Sequence, residues 1–153
     1  MRKRTSLKFD PESSAWIGLR VTVVSNRYLY PLNAELERKY KVLRDDVAVI
    51  NCLSITSATT AQEIVRYTGR PKNSISRAVT KLEAERILRR KAHLRDGRAS
   101  TLSLTPRGKK LFAQIRGYFA KRDQRLIEVL SDKEKNEFNR LLTKISEGSA
   151  DWA

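Results

Sequence analysis

The chain has 153 residues, 40% of them hydrophobic, which suits one domain with its own core and excludes a chain disordered by composition. Its formal net charge of +15 points to a polyanionic partner, nucleic acid ahead of an anionic membrane surface. The sequence has no apolar run long enough to span a membrane and no secretory signal, since the basic start MRKRTSLK lacks an apolar segment. A single cysteine, Cys52, rules out an intramolecular disulfide, and a reducing cytoplasm is the expected location.

In chain order, Asp10-Pro11-Glu12 reads as a helix start, with a capping side chain, a proline tolerated in the first turn and an acid near the positive end of the dipole. Trp16, Leu19 and Val23 continue at helical spacing. Pro31 is expected to kink or interrupt this helix, which resumes from Asn33 to Tyr40. A second helix is predicted from about Arg44 to Ser54, with Val47, Ile50 and Leu53 inward. Thr60-Ala61-Gln62-Glu63 is a capping box that opens a short helix burying Ala61, Ile64 and Val65, and Gly69 ends it. Pro71 then stands at the first turn of the next helix.

Two helices joined by a tight Gly-containing turn form a helix-turn-helix pattern. In the second, Ile75, Ala78, Val79 and Leu82 repeat at i, i+3, i+4 and i+7 and predict one buried stripe. Asn73, Ser76, Arg77 and Thr80 share the opposite face. Such side chains reach base edges and phosphates in a major groove, and they also suit a solvated face. The hairpin that follows weighs on that choice. Segments Leu88 to Leu94 and Ala99 to Leu104 can pair around Arg95-Asp96-Gly97-Arg98, a tight-turn sequence that presents two arginines on a narrow finger. An arginine there can enter a minor groove, where negative potential is focused. Asp96 either orients an arginine or shapes the turn, and the two roles are compatible. From Thr60 to Lys110 there are 14 Lys and Arg against Glu63, Glu83, Glu85 and Asp96, so charge is concentrated on this segment. A helix-turn-helix followed by a basic hairpin is a winged helix.

Thr105-Pro106 caps a long helix lined by Leu111, Phe112, Ile115, Tyr118, Phe119, Leu126 and Leu130, and Ser131-Asp132-Lys133-Glu134 opens another whose stripe is Phe138, Leu141, Leu142 and Ile145. Alone, these helices and the first leave a wide apolar face, which a two-fold homodimer is expected to bury in preference to a monomer that folds its ends onto itself. The expectation is one domain over 1–153, mainly α with a small β-hairpin wing, its winged part at about 44–105 and its dimerisation helices at about 10–40 and 105–147.

With those residues in place, the chain resembles the MarR family of bacterial winged helix-turn-helix regulators along nearly its whole length. The match is sharpest at Ser76-Arg77-Ala78-Val79, Lys81-Leu82-Glu83, Ile87-Leu88-Arg89-Arg90, Asp96-Gly97-Arg98 and Leu102-Ser103-Leu104-Thr105-Pro106-Arg107-Gly108. The resemblance implies a homodimer on a pseudo-palindromic double-stranded DNA operator, usually as a repressor. It implies a recognition helix carrying Asn73, Ser74, Ser76, Arg77, Thr80 and Lys81, and Arg98 in the minor groove. Lys72, Arg95 and Asp96 complete the candidate DNA-binding set. A small aromatic or phenolic effector that releases DNA is implied as well. Two departures stand out: Pro31 falls in a helix commonly continuous in the family, and Cys52 lies outside the first helix, where the family's redox sensors usually carry their cysteine.

Cys52 reads as a small core residue. Cys52 and His93 cannot build the usual zinc ligand set, and neither a Gly-rich phosphate loop nor a nucleophile elbow is present, so neither catalysis nor a cofactor is expected. Trp16, Arg20 and Arg27 read as dimer core and as solvated or paired arginines in preference to a carboxylate site. Two other functions compete with the regulator: a non-specific architectural DNA binder, and a ligand or stress sensor acting mainly through protein contacts.

Overall fold

The spacing of apolar residues decides which face of each helix turns inward. The computed structural model describes residues 13, 15–92 and 100–149. They run as α1 (Ile17–Tyr40), α2 (Arg44–Thr56), α3 (Ala61–Thr68), α4 (Lys72–Ala84), β1 (Leu88–Ala92), β2 (Ser100–Leu104), α5 (Pro106–Ile127) and α6 (Asp132–Gly148). The expected helical fold with one hairpin is what forms. The predicted start at Asp10-Pro11-Glu12 and the hairpin tip, with His93, Arg95, Asp96 and Arg98, lie outside the described residues.

The core gathers one stripe from each inner element. Leu32 and Leu36 of α1, Val49, Ile50 and Leu53 of α2, Ile64 of α3, Ile75, Val79 and Leu82 of α4, and Ile115 of α5 are buried together with Leu88 and Leu102 of the hairpin. Helix α4 packs against α2, α3 and β1, and α5 against α1, α2 and β2. The hairpin is antiparallel, with Leu88 opposite Leu104 and Arg90 opposite Leu102, so Leu88, Arg90, Leu102 and Leu104 share the inner face. The backbone of Thr59 adds a bridge to Leu102, giving and receiving one N–H bond (3.1 and 2.8 Å) and fixing the hairpin to the α2–α3 turn.

Local chemistry sets the helix ends as the sequence predicts. The Thr60 hydroxyl accepts the Glu63 N–H (3.2 Å), and the Glu63 carboxylate accepts from the Thr59 hydroxyl (2.7 Å) and the Thr60 N–H (2.8 Å). Those bonds, the Thr59 hydroxyl first, hold the Glu63 carboxyl below its usual range. Gly69 closes α3 in the left-handed region (φ 61°), its N–H bonded to the Val65 carbonyl.

Of the kink or interruption expected at Pro31, the interruption does not occur: α1 continues through it. Proline has no N–H to give the carbonyl four residues back, which is that of Arg27. Nη1 of Arg122 on α5 lies 3.5 Å from this oxygen and donates to it. A neighbouring helix thus supplies the donor that proline removes. Helix α1 is further tied to α5 by the Tyr28 hydroxyl, which donates to Asp123 (2.7 Å), and by Lys39, which donates to the Tyr118 hydroxyl (2.8 Å).

At the root of the wing, the Thr105 N–H donates to the Ile87 carbonyl (3.0 Å), its hydroxyl donates to the Arg86 carbonyl (2.7 Å), and the same hydroxyl accepts the Gly108 N–H (3.1 Å). Gly108 presses so close that a Cβ there would collide with the Ile87 carbonyl. Gly108→Ala is therefore expected to destabilise the fold by about 1–3 kcal/mol, as overpacking does. Urea denaturation checks this, and an unchanged midpoint would show that the joint opens without cost.

Candidate nucleic-acid interface

Because Ile75, Ala78, Val79 and Leu82 are all buried, the orientation of α4 is fixed by the core. Lys72, Asn73, Ser76, Arg77 and Thr80 are consequently exposed together along its outer side, with Ser74 half-buried at the margin. The Thr80 hydroxyl donates to the Ser76 carbonyl (3.0 Å), which leaves its lone pairs outward. Arg77 makes no ion pair with any described residue. At the start of α4 no side chain caps the helix and no acid occupies the first turn, so the positive end of the dipole and Lys72 face the same solvent.

Lys81 departs from the expected set. Its ammonium turns away from the outer face, pairs with the buried carboxylate of Asp46 (2% exposed) and donates to the Lys41 carbonyl (2.9 Å). The same Asp46 oxygen accepts the Leu43 N–H (2.8 Å) that opens α2. Lys81 therefore holds α4 in place. The family resemblance placed it with the DNA-binding residues, whereas the helical spacing of the outer face covered only Asn73, Ser76, Arg77 and Thr80. Arg70, counted in the basic segment, likewise pairs with Asp45 and ties the helix-turn-helix turn to α2.

The hairpin adds residues the sequence reading left unassigned. Arg89 and Lys91 are exposed on its outer face, and the Arg89 Nε donates to the Ser103 hydroxyl (3.2 Å). Arg90 is on the opposite face, paired with Glu83 of α4 (3.1 Å), and with Gln62, Lys72, Ser76 and Ser100 it lines a cleft of about 570 Å³ between α3, α4 and the wing. The two-residue alternation of the strand carried that signal. The charges therefore divide. Arg70, Lys81 and Arg90 bind acids within the protein, while Lys72, Arg77, Arg89 and Lys91 face outward.

Cys52 is half-buried beside the core and burial pushes its thiol pKa up, which favours the unreactive thiol form and the core reading. Among the described residues no group of three His, Cys, Asp or Glu side chains is placed to hold a metal ion. No helix among them is long and apolar enough to cross a membrane.

A short helix, a tight glycine turn, a second helix with a polar outer face, and a hairpin bridged back to both define a winged helix-turn-helix protein. Residues 46–99 match the sequence model of the MarR family. Three similar solved structures extend the likeness over most of the chain. A MarR/EmrR family transcriptional regulator from Acinetobacter sp. ADP1 is 24% identical, with a TM-score of 0.76 and 89% of this chain and 95% of that one covered. A mutant of MarR from E. coli, complexed with operator DNA, is 18% identical, with a TM-score of 0.71 over 87% of this chain and 99% of that one. BpsR from Bordetella bronchiseptica, whose structure concerns regulation of its DNA binding by 6-hydroxynicotinic acid, is 20% identical, with a TM-score of 0.66 over 83% and 98%. No curated protein matches the chain in sequence. Residues 46–99 are thus similar in sequence to the MarR family, and most of the chain is similar in fold to solved MarR-family regulators.

If Lys81 positions α4 and Arg77 contacts only what binds there, their substitutions separate. Lys81→Met leaves a buried carboxylate unpaired and is expected to cost about 1–3 kcal/mol of stability, the lower part of the range for such groups because Lys81 keeps some contact with water. Arg77→Ala is expected to change stability by less than about 0.5 kcal/mol. Thermal denaturation of the two variants side by side checks the pair, and equal losses would contradict it.

Proposed function

We propose that this protein is a homodimeric, sequence-specific DNA-binding transcriptional regulator of the bacterial cytoplasm, acting as a repressor. The observation that carries this reading is the outer face of α4, where Asn73, Ser76, Arg77 and Thr80 are exposed on a helix whose opposite stripe is locked in the core. A helix held that way can enter a major groove as a rigid body. Arg77 then reads base edges, with Asn73 and Ser76 beside it, while Lys72, Ser74 and the open helix start meet phosphate. Arg95 and Arg98 of the wing reach the flanking minor groove, with Asp96 orienting them. The Acinetobacter and E. coli proteins, which share this fold, support the assignment through a regulator's name and an operator complex.

Dimerisation rests on a second observation. Helix α6 buries none of its residues, although Phe138, Leu141, Leu142 and Ile145 form one apolar stripe, 40 to 59% exposed. Trp16, Ile17, Leu19 and Val21 at the start of α1 are exposed as well. Helices in proteins draw most of their stability from packing an apolar face, so a second copy covering these faces accounts for the sequence. Two copies bring two α4 helices to successive major grooves of a pseudo-palindromic operator. A small aromatic or phenolic effector that releases the DNA fits the reading, and BpsR offers a parallel in its regulation by 6-hydroxynicotinic acid.

Fluorescence anisotropy against the DNA upstream of the protein's own gene and against a scrambled duplex tests the proposal. A preference of about a thousandfold or more for the upstream duplex is expected. Arg77→Ala is expected to remove roughly 1–3 kcal/mol of that preference, and Arg98→Ala to weaken binding to both duplexes while the dimer persists. Equal binding to both duplexes with a steep salt dependence points to an architectural protein if selection from genomic DNA also finds no preferred fragment. Sedimentation equilibrium that gives the mass of one chain overturns the dimer.

A further inference from the structure

DNA recognition leaves one cluster of positive charge unexplained. Helix α5 carries Arg107, Lys109, Lys110, Arg116, Lys121, Arg122 and Arg125 against a single acid, Asp123. Toward its far end, away from the wing root at Thr105, Arg122 and Arg125 meet Arg27 of α1 around one hollow of about 280 Å³. Val24, Leu126 and Val129 supply its apolar wall, and Tyr28 its remaining side. Clefts for drug-sized ligands run to roughly 300–1,000 Å³, so this one suits a smaller molecule.

Among the described residues no acidic side chain lines the hollow. Asp123 is nearby, but its carboxylate accepts the Tyr28 hydroxyl, and no ion pair with a described residue neutralises Arg27, Arg122 or Arg125. Arg122 gives one N–H to the Arg27 carbonyl and keeps its other donors. The negative end of α5 offsets only about half a charge, so it leaves most of a threefold positive charge unbalanced. A carboxylate offers one charge and two oxygens to this arrangement. A phosphoryl monoester offers nearly two charges at neutral pH and three terminal oxygens, one for each guanidinium. The apolar wall matches a non-polar body behind that group.

We propose that the hollow between α1 and α5 is a binding site for a small organic phosphate, held through its phosphoryl oxygens by Arg27, Arg122 and Arg125. The site stands apart from α4 and the wing, and its occupancy is measurable without DNA.

Isothermal titration of the full chain with phenyl phosphate, benzoate and inorganic phosphate, at matched ionic strength and with no DNA present, tests the site. Phenyl phosphate is expected to bind once per chain, and each of the other two at least about tenfold more weakly, since each lacks either the third oxygen or the apolar body. Arg27→Gln and Arg125→Gln are each expected to weaken phenyl phosphate about tenfold, the loss of one charge-assisted contact, with an unchanged melting temperature. Arg77→Ala on the outer face of α4 is expected to bind it as the parent does. Phenyl phosphate binding no tighter than inorganic phosphate, or equally well to both glutamine variants, overturns the site. Benzoate binding as tightly as phenyl phosphate overturns the assignment to a phosphate.

Discussion

A single buried carboxylate joins the parts of this molecule. Asp46 accepts the N–H that opens α2 and pairs with the ammonium of Lys81 on α4, and Lys81 in turn donates to the carbonyl of Lys41, which closes α1. Asp46 is almost wholly removed from water, so leaving its charge unpaired would cost about 1–3 kcal/mol of stability. Three helices therefore meet at a point where none can shift without exposing or orphaning an ion. Apolar packing fixes which face of α4 is inward, but it tolerates sliding along the helix axis. The ion pair is directional and sets that remaining coordinate.

The outer face of α4 is useful only because the inner one is so firmly held. Cations on the same segment perform two jobs that charge counting cannot distinguish. Lys81, Arg70 and Arg90 fasten α4, the turn before it and the wing to neighbouring acids. Lys72 and Arg77 are held outward by that scaffold and pair with no acid among the described residues. This division places unneutralised charge on one side of a rigid element, and it leaves Arg27, Arg122 and Arg125 as a separate basic centre at the other end of α5.

Much of this was legible in the sequence, because it is local. The buried stripe of α4, the capping boxes at Thr60 and Ser131 and the left-handed Gly69 all follow from residues within a turn or two of one another. What was not legible depends on partners distant along the chain. Asp46 reads as an ordinary acid in the first turn of α2, and nothing near it announces Lys81. The resemblance put Lys81 with the residues that face DNA, yet its long stem lets the ammonium reach a different neighbour. Pro31 carried a local rule for a kink or interruption, yet α1 runs on through it, and the carbonyl it leaves without a donor faces Arg122 of α5. The hollow between α1 and α5 needed two helices to be docked before its three arginines could be seen as one group.

The contact of Gly108 with the Ile87 carbonyl makes the start of α5 a bearing without play, with the wing on one side and a long rod on the other. At 1.5 Å per residue the rod of α5 is about 33 Å long, so a tilt of about 5° at the bearing corresponds to about 3 Å at the far end. The bridge from Leu102 to Thr59 joins the same hairpin root to the turn ahead of α3, so the bearing, the wing and the helix-turn-helix share one anchored joint. The leverage comes from one missing side chain, because any residue larger than glycine would move the fulcrum.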